Sequence, residues 1–344
     1  MTKAAVVILN WNGRKFLEDF LPAVVRHNAA FSEVIVADND SSDDSIAWVN
    51  KNFPSVRIIK NATNGGYAKG YNQALAQVDA EYFVLLNSDV EVTAGWLEPV
   101  IALMEKDTSI SAAQPKLRDF KKKEKFEYAG AAGGFIDKNG YPFCRGRLFE
   151  TVENDAGQYD DDAEIFWATG ACMFVRASVW KEMGGLDEDF FAHMEEIDLC
   201  WRMRNRGYKI MYCAKSIVYH VGGGTLGKQN PQKTYLNFRN NLMLLLKNKE
   251  SSFLFFKIFW RMCLDFIAGM KFLFAGEPAH FWAVQRGHFG FYARLSETRK
   301  KRMALKKNIK QFATKGIYQK NIVVEYFLRG KKKFTDLDKG KFSE

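Results

Sequence analysis

The chain has 344 residues, 47% hydrophobic and 26% charged, a composition that excludes a disordered protein and leaves one large domain or two. Aromatic residues reach 15%, with 29 Phe, as in a large core, an aromatic-lined site or a surface that meets lipid. The net charge of +10 is uneven: from Lys247 onward 22 Lys and Arg stand against 8 Asp and Glu, while the remainder has 28 against 32. The C-terminal part therefore calls for an anionic partner, a membrane surface or nucleic acid.

Ala4 to Trp11, "AAVVILNW", is a short β-branched run that ends in polar residues and reads as a buried strand. "KFLEDFLPAVVRHN" has helical spacing. "SEVIVADNDSSDDS" is a second strand breaking into Asp, Asn and Ser, which can cap the helix "SIAWVNKNF". "VRIIKNATNGGYAKGYNQALAQV" is a strand, a glycine-rich turn and a helix. "EYFVLLNSD" is the fourth strand and "GWLEPVIALMEKD" the next helix.

Strand and helix alternate through short links, which predicts a parallel sheet with helices on both faces. Ligands of such sheets sit beyond the carboxyl ends of the strands. Asn10–Asn12, Asp38–Asp40, Asn64–Gly66 and Asn87–Asp89 all fall at those ends. Further on, "LRDFKKKEKFE" reads as a charged loop or helix edge, and "WATGACMFVRASVW" as a strand followed by a helix start. The five cysteines, Cys144, Cys172, Cys200, Cys213 and Cys263, are odd in number and form no CxxC pair. That fits a reducing cytosol and buried small thiols, not disulfides or zinc. The apolar run of "MTKAAVVILNWNG" is too short for a signal-peptide core, and no apolar stretch of about 20 residues is free of charge.

Asp89 ends a core strand, where a carboxylate serves as a turn residue or as an oxygen ligand for Mg²⁺ or Mn²⁺. Asn87 lies two positions before it, on the same side of an extended segment. Asp38 offers an acceptor for a base N–H or a sugar hydroxyl, or closes an Asx turn. Gly65, Gly66 and Gly70 permit close backbone approach, and the helix after them presents its N-terminus to phosphate. In "HMEEIDLCWRMRNRGY", Asp198 and Arg202 are four apart and read as a structural pair. Glu196 points elsewhere, either as a solvated acid of a helix N-terminus or as a general base facing the rim. His220, at the end of "IVYH" before a run of glycines, is a core histidine or a third metal ligand.

Six segments in order, "VVILNWNG", "VIVADNDSSDDS", "NGGYAKGYNQAL", "YFVLLNSDVEV", "WATGACMFVRASVWKEMGGLDEDFFAHMEEIDLCWRMRNRGY" and "VYHVGGG", resemble glycosyltransferase family 2 over roughly residues 3–245. Within it the chain is most similar to bacterial rhamnosyltransferase-like enzymes of surface polysaccharide synthesis. The resemblance implies an α/β fold of GT-A type: a Rossmann-like, mainly parallel central sheet flanked by helices that binds a nucleotide sugar. It implies metal-dependent inverting transfer, with Mg²⁺ or Mn²⁺ held by Asp89 and His220. The family's Asp-x-Asp is here Asn87-Ser88-Asp89. Asp38 would hold the base, with Asn10 nearby at the first strand's end; Asn39, Asn64, Gly65, Gly66, Lys69, Asn72, Asn87 and Ser88 would line the rest of the donor site. Glu196 stands where the family has its catalytic base, with Glu195 as the alternative in a shifted register. The implied donor is dTDP-rhamnose, with UDP-hexose, UDP-GlcNAc and UDP-galactofuranose open, and the acceptor is a glycan or a lipid-linked glycan. Asn87 also admits an inactive scaffold. A nicotinamide-dependent oxidoreductase is disfavoured because the first strand runs into "NWNGRKF" and has no GxGxxG turn.

These features divide the chain into a catalytic domain, 1–245, and a helical basic extension, 246–344. In "SFLFFKIFWRMCLDFIAGMKFLFAG", Lys257, Arg261 and Asp265 are four apart and form one polar stripe on an otherwise apolar helix. Such a helix packs on the catalytic domain or lies in a membrane interface. "RLSETRKKRMALKKNIK" and "RGKKKF" add charge for anionic lipid, and no nucleic-acid-binding motif accompanies them. The expected location is cytoplasmic, peripheral at the inner face of the cytoplasmic membrane.

Overall fold

The computed structural model describes residues 2–222, 230–309 and 312–343. β1 (Thr2–Asn10), α1 (Arg14–Arg26), β2 (Ser32–Asp38), α2 (Ser45–Asn52), β3 (Arg57–Lys60), α3 (Gly66–Leu75) and β4 (Ala80–Asn87) alternate as the sequence predicts. The four strands pair in parallel in the order β4-β1-β2-β3. Successive side chains of β1 enter two different cores. Ala5 and Val7 join Ala68 and Tyr71 of α3, while Ala4, Val6 and Ile8 join Leu17 and Leu21 of α1. Burial on both faces is why these strands read as unbroken apolar runs.

After β5 (Val90–Val92) and α4 (Glu98–Lys106) come β6 (Ile110–Asp119), four short strands, β7 (Gly134–Asp137), β8 (Pro142–Cys144), β9 (Arg147–Leu148) and β10 (Thr151–Val152), then β11 (Ala163–Ile165). β12 (Cys172–Arg176), α5 (Ala177–Met183), α6 (Glu195–Asn205) and β13 (Lys209–His220) complete this part. The large sheet runs β11-β13-β6-β12-β4-β1-β2-β3, with β5 paired to β13. β12 is antiparallel to both β4 and β6, so the sheet is mixed on that side.

The charged stretch "LRDFKKKEKFE" forms no helix. Leu117–Asp119 finish β6, and the chain then doubles back so that the Glu127 N–H donates to the Leu117 carbonyl at 3.0 Å.

α7 (Pro231–Asn248), α8 (Leu254–Phe274), α9 (Pro278–Ala293) and α10 (Leu295–Lys306) follow, then β14 (Ile317–Tyr318) and α11 (Ile322–Phe327). The position expected for a domain boundary, residue 245, falls inside α7. β14 pairs in parallel with β7 and extends a second sheet, β10-β9-β8-β7-β14. Next to it, the buried Asp137 carboxylate accepts from the Ile322 N–H at 2.9 Å. The last part of the chain is thus woven into the sheet-bearing part by a strand and a buried hydrogen bond. All five cysteines are free, four of them buried and Cys263 half-buried.

Candidate active site

Strand register brings the rim residues together. Asn10 is the cross-strand partner of Asp38, and Leu9 that of Asn87. The carboxyl ends of β1, β2 and β4 therefore finish level, beside one another. β4 then turns through Ser88 and Asp89 into β5, whose Val90 pairs with His220 of β13. One residue before Val90, Asp89 meets the histidine: its Oδ1 lies 3.1 Å from His220 Nε2.

Behind His220 stands a residue the sequence reading missed. Glu127 Oε1 lies 3.2 Å from His220 Nδ1, and Asp89, Glu127 and His220 are all buried. Burial alone would lower the imidazole's pKa, but the Glu127 charge and the hydrogen bond to Asp89 outweigh it and raise it to about 10. Burial likewise opposes the Asp89 carboxylate, yet its hydrogen bond to His220 keeps it below the usual range. Gly222 follows at a φ of +71°, and a Cβ there would stand 3.2 Å from Glu127 Oε1. Gly223 and Gly224 of the same run lie outside the described residues. Nothing local marks Glu127, because only the fold-back of residues 120–127 onto β6 carries it to His220.

Among the described residues no three His, Cys, Asp or Glu side chains surround a common ion position. Once the Nε2 proton of His220 is displaced, Asp89 and His220 fit a divalent ion with several outside ligands. Their 3.1 Å separation is that of two adjacent ligands of an octahedral ion with bonds of about 2.1 Å. Glu127 on Nδ1 is the carboxylate support that metal-ligating histidines carry.

On the donor side, Asp38 is buried and its Oδ1 has no hydrogen-bond partner. Asn10 donates to Ser45 Oγ at 2.9 Å and Ser41 Oγ at 3.2 Å, leaving its own buried Oδ1 unpartnered. Two orphaned acceptors at adjacent strand ends suit a ligand that brings N–H or O–H groups. Asn39 donates to Asn64 Oδ1 at 2.9 Å, and Asn64 Oδ1 accepts from the Gly66 N–H at 2.9 Å. These two asparagines therefore build the glycine turn. Lys69, half-buried in the first turn of α3, packs its stem against Gly65. Asn72 joins α3 to the loop after α5, exchanging hydrogen bonds with the backbone of Leu186, each at 2.9 Å. Asn87 and Ser88 are half-buried at the rim.

Glu195 and Glu196 open α6 after a strained approach. Phe191, His193 and Met194 all have positive φ, at 64°, 69° and 75°. Carbonyls of the same segment are pinned from α7 by a residue that the sequence reading also missed: Asn240 Nδ2 donates to the carbonyls of Phe190, Ala192 and His193 at 2.7–2.9 Å. Strain held in this way fixes where the next residues point. Glu195 is buried, and burial together with the Glu196 charge raises its carboxyl well above the usual range. Glu196 is half-buried, and burial lifts it to about 7. Asp198 pairs with Arg202 at 2.7 Å, as its spacing predicts.

A mostly parallel sheet flanked by helices, with polar residues at its strand ends, is the architecture of the GT-A fold. The chain belongs to glycosyltransferase family 2: the model described as "Glycosyl transferase family 2" matches residues 5–184. It is 25% identical over 241 residues to N-acetylglucosaminyl-diphospho-decaprenol L-rhamnosyltransferase of Mycobacterium tuberculosis, covering 65% of this chain and 77% of that protein. It is 22% identical over 247 residues to the low-salt glycan biosynthesis hexosyltransferase Agl10 of Haloferax volcanii, covering 70% of this chain and 74% of the relative. Among solved structures, GalNAc-T7 with UDP, GalNAc and Mn²⁺ superposes with a TM-score of 0.60 at 14% identity over 91% of this chain; this chain spans only 55% of that one. TarS 1-349 of S. aureus superposes with a TM-score of 0.51 at 14% identity, over 89% and 90% of the two chains. These likenesses carry the fold.

Proposed function

We propose that this glycosyltransferase moves one sugar from a nucleoside diphosphate donor to a hydroxyl of a glycan or lipid-linked acceptor, with inversion at the anomeric carbon. The observation that carries this reading is Glu196: a half-buried acid lifted to about 7 at the start of α6, directly after a clamped loop. A base poised near the working pH suits proton removal from a hydroxyl.

Asp38 and Asn10 accept from the base and ribose of the donor. Asp89 and His220 hold the divalent cation, which when bound supplies positive charge against the diphosphate. Glu127 keeps the His220 ring oriented through Nδ1. Glu196 takes the acceptor's proton as the acceptor oxygen bonds to the anomeric carbon. On the opposite face the bond from that carbon to the diphosphate oxygen breaks, and the diphosphate leaves with the electron pair. A single displacement needs no enzyme nucleophile; burial and the Glu196 charge push the enclosed Glu195 carboxyl up, which favours Glu196 over Glu195 as the base.

The relative from M. tuberculosis, named a rhamnosyltransferase, favours dTDP-rhamnose as donor. The hexosyltransferase relative keeps UDP-hexoses, UDP-GlcNAc and UDP-galactofuranose as the alternative. A thermal-shift screen with dTDP, UDP and GDP, each with and without Mn²⁺, tests the reading, because a ligand of the folded state raises Tm by mass action. A metal-dependent shift with dTDP or UDP is expected. The absence of a shift with every nucleotide would overturn it and leave an inactive scaffold.

A further inference from the structure

α8 is amphipathic in the reverse of the usual sense. Its buried residues are Ile258, Arg261, Asp265 and Gly269, a stripe at helical spacing that includes two charges. Arg261 donates to Asp265 at 2.8 Å and to Asn241 of α7, and its guanidinium stacks 3.5 Å from the Tyr141 ring. Arg261 and Asp265 of the expected polar stripe thus point inward onto the protein, whereas Lys257 is exposed at its edge. Both arrangements open to this helix from its sequence use one face each: the charged face packs on the protein, and the aromatic face is left outside.

That outer face is large. Of the seventeen exposed large apolar side chains among the described residues, twelve lie between Phe253 and Tyr292. On α8 they include Phe255 (72% exposed), Phe259, Trp260 and Phe274 (83%), and on α9 Trp282 and Phe289 (74%). A soluble surface rarely leaves so many aromatics together in water. Exposed cations fringe the patch: Lys257 and Lys271 on α8, Arg286 on α9, and Arg299, Lys300 and Lys307 at α10. No helix among the described residues is long and apolar enough to cross a membrane.

We infer that the outer faces of α8 and α9 form a monotopic docking surface for an anionic lipid bilayer. The aromatic rings enter the boundary of headgroups and acyl chains, and the cationic fringe meets acidic headgroups. Charge complementarity decides between possible occupants. A second copy would bring the same cations to the same face, whereas phosphatidylglycerol neutralises them. The other side of α9 packs on α7, the helix whose Asn240 clamps the loop before Glu196. The docked surface therefore has a fixed position relative to the active site, suited to an acceptor that itself resides in the membrane.

The test is flotation of the full chain on a sucrose gradient with vesicles of phosphatidylethanolamine and phosphatidylglycerol, and with phosphatidylcholine alone. The protein is expected to float with the anionic vesicles and to lose at least tenfold of its bound fraction on phosphatidylcholine. Phe256→Glu/Trp260→Glu/Ile267→Glu should abolish flotation at an unchanged Tm, since all three residues are exposed. Should that variant not fold, Lys257→Glu/Lys271→Glu/Arg286→Glu tests the fringe and should also stay at the bottom. A wild-type protein that does not float, or either variant floating like wild type, overturns the proposal. So does a lipid-free dimer that the apolar variant dissociates, which would assign the face to a second copy. Flotation needs no donor turnover, so its failure leaves the transferase reading standing.

Discussion

The Lys247 ammonium lies 2.8 Å from the Asp198 carboxylate, which ties the last turn of α7 to the helix carrying Glu196. Lys247 also reaches Asp187 at 2.6 Å, and all three side chains are buried. Burial would raise both carboxyls, but the Lys247 charge, joined by Lys301 at Asp187 and Arg202 at Asp198, holds them below the usual range. Removing one partner of such a group leaves uncompensated buried charge, at a cost of about 3 kcal/mol or more. Lys247→Met should lower stability by that amount in urea unfolding at about pH 7.

The same pair sets an acid limit. Depressed carboxyls stabilise the fold above their unfolded pKa of about 3.9, and the contribution is lost as pH falls toward the folded values. Stability of the wild type should therefore drop below about pH 4, and Lys247→Met should show a shallower drop because its aspartates lose a cationic partner. An equal acid slope in both proteins would contradict the assignment.

Glu196→Gln should cost about 10²–10⁴-fold in kcat and leave donor binding intact. The base works deprotonated, so kcat/KM should rise with pH through a midpoint near 7. Coupled detection of released nucleoside diphosphate across pH reads both effects. A variant retaining substantial transfer would remove Glu196 from the role.

Gly66→Ala tests the clamped loop. Gly66 has a φ of +79°, and a Cβ there would stand 2.6 Å from the Phe191 carbonyl oxygen. The cost should be about 1–3 kcal/mol, and kcat should fall more than donor KM rises, because the displaced segment leads to Glu196 and not to Asp38.

Glu127→Gln leaves a neutral group at His220 Nδ1. It should weaken Mn²⁺ affinity about 10–100-fold in a titration that needs no turnover. Unchanged affinity would mean that Glu127 serves only the fold.

The parallel half of the sheet was legible because each strand is an apolar run ending in polar residues, and Asn10, Asp38 and Asp89 stand where those runs end. Asp198 and Arg202 were legible for a different reason: four residues apart on a helix is local geometry. Glu127 and Asn240 were not, since each reaches the site through tertiary contacts far from its own segment. The strands β7 to β10 are two to four residues long, too short to show a period. In α8 the stripe was visible but its direction was not: spacing says that Arg261 and Asp265 share a face, and only packing says that the face points inward.

The most direct test of the central claim compares wild type with Glu196→Gln, with Mn²⁺ present, against dTDP-rhamnose, UDP-GlcNAc and UDP-hexoses. Binding is followed by thermal shift and turnover by diphosphate release. The account predicts one donor that stabilises both proteins and is turned over by the wild type alone. Failure of every donor to bind, or equal release by both proteins, would contradict it.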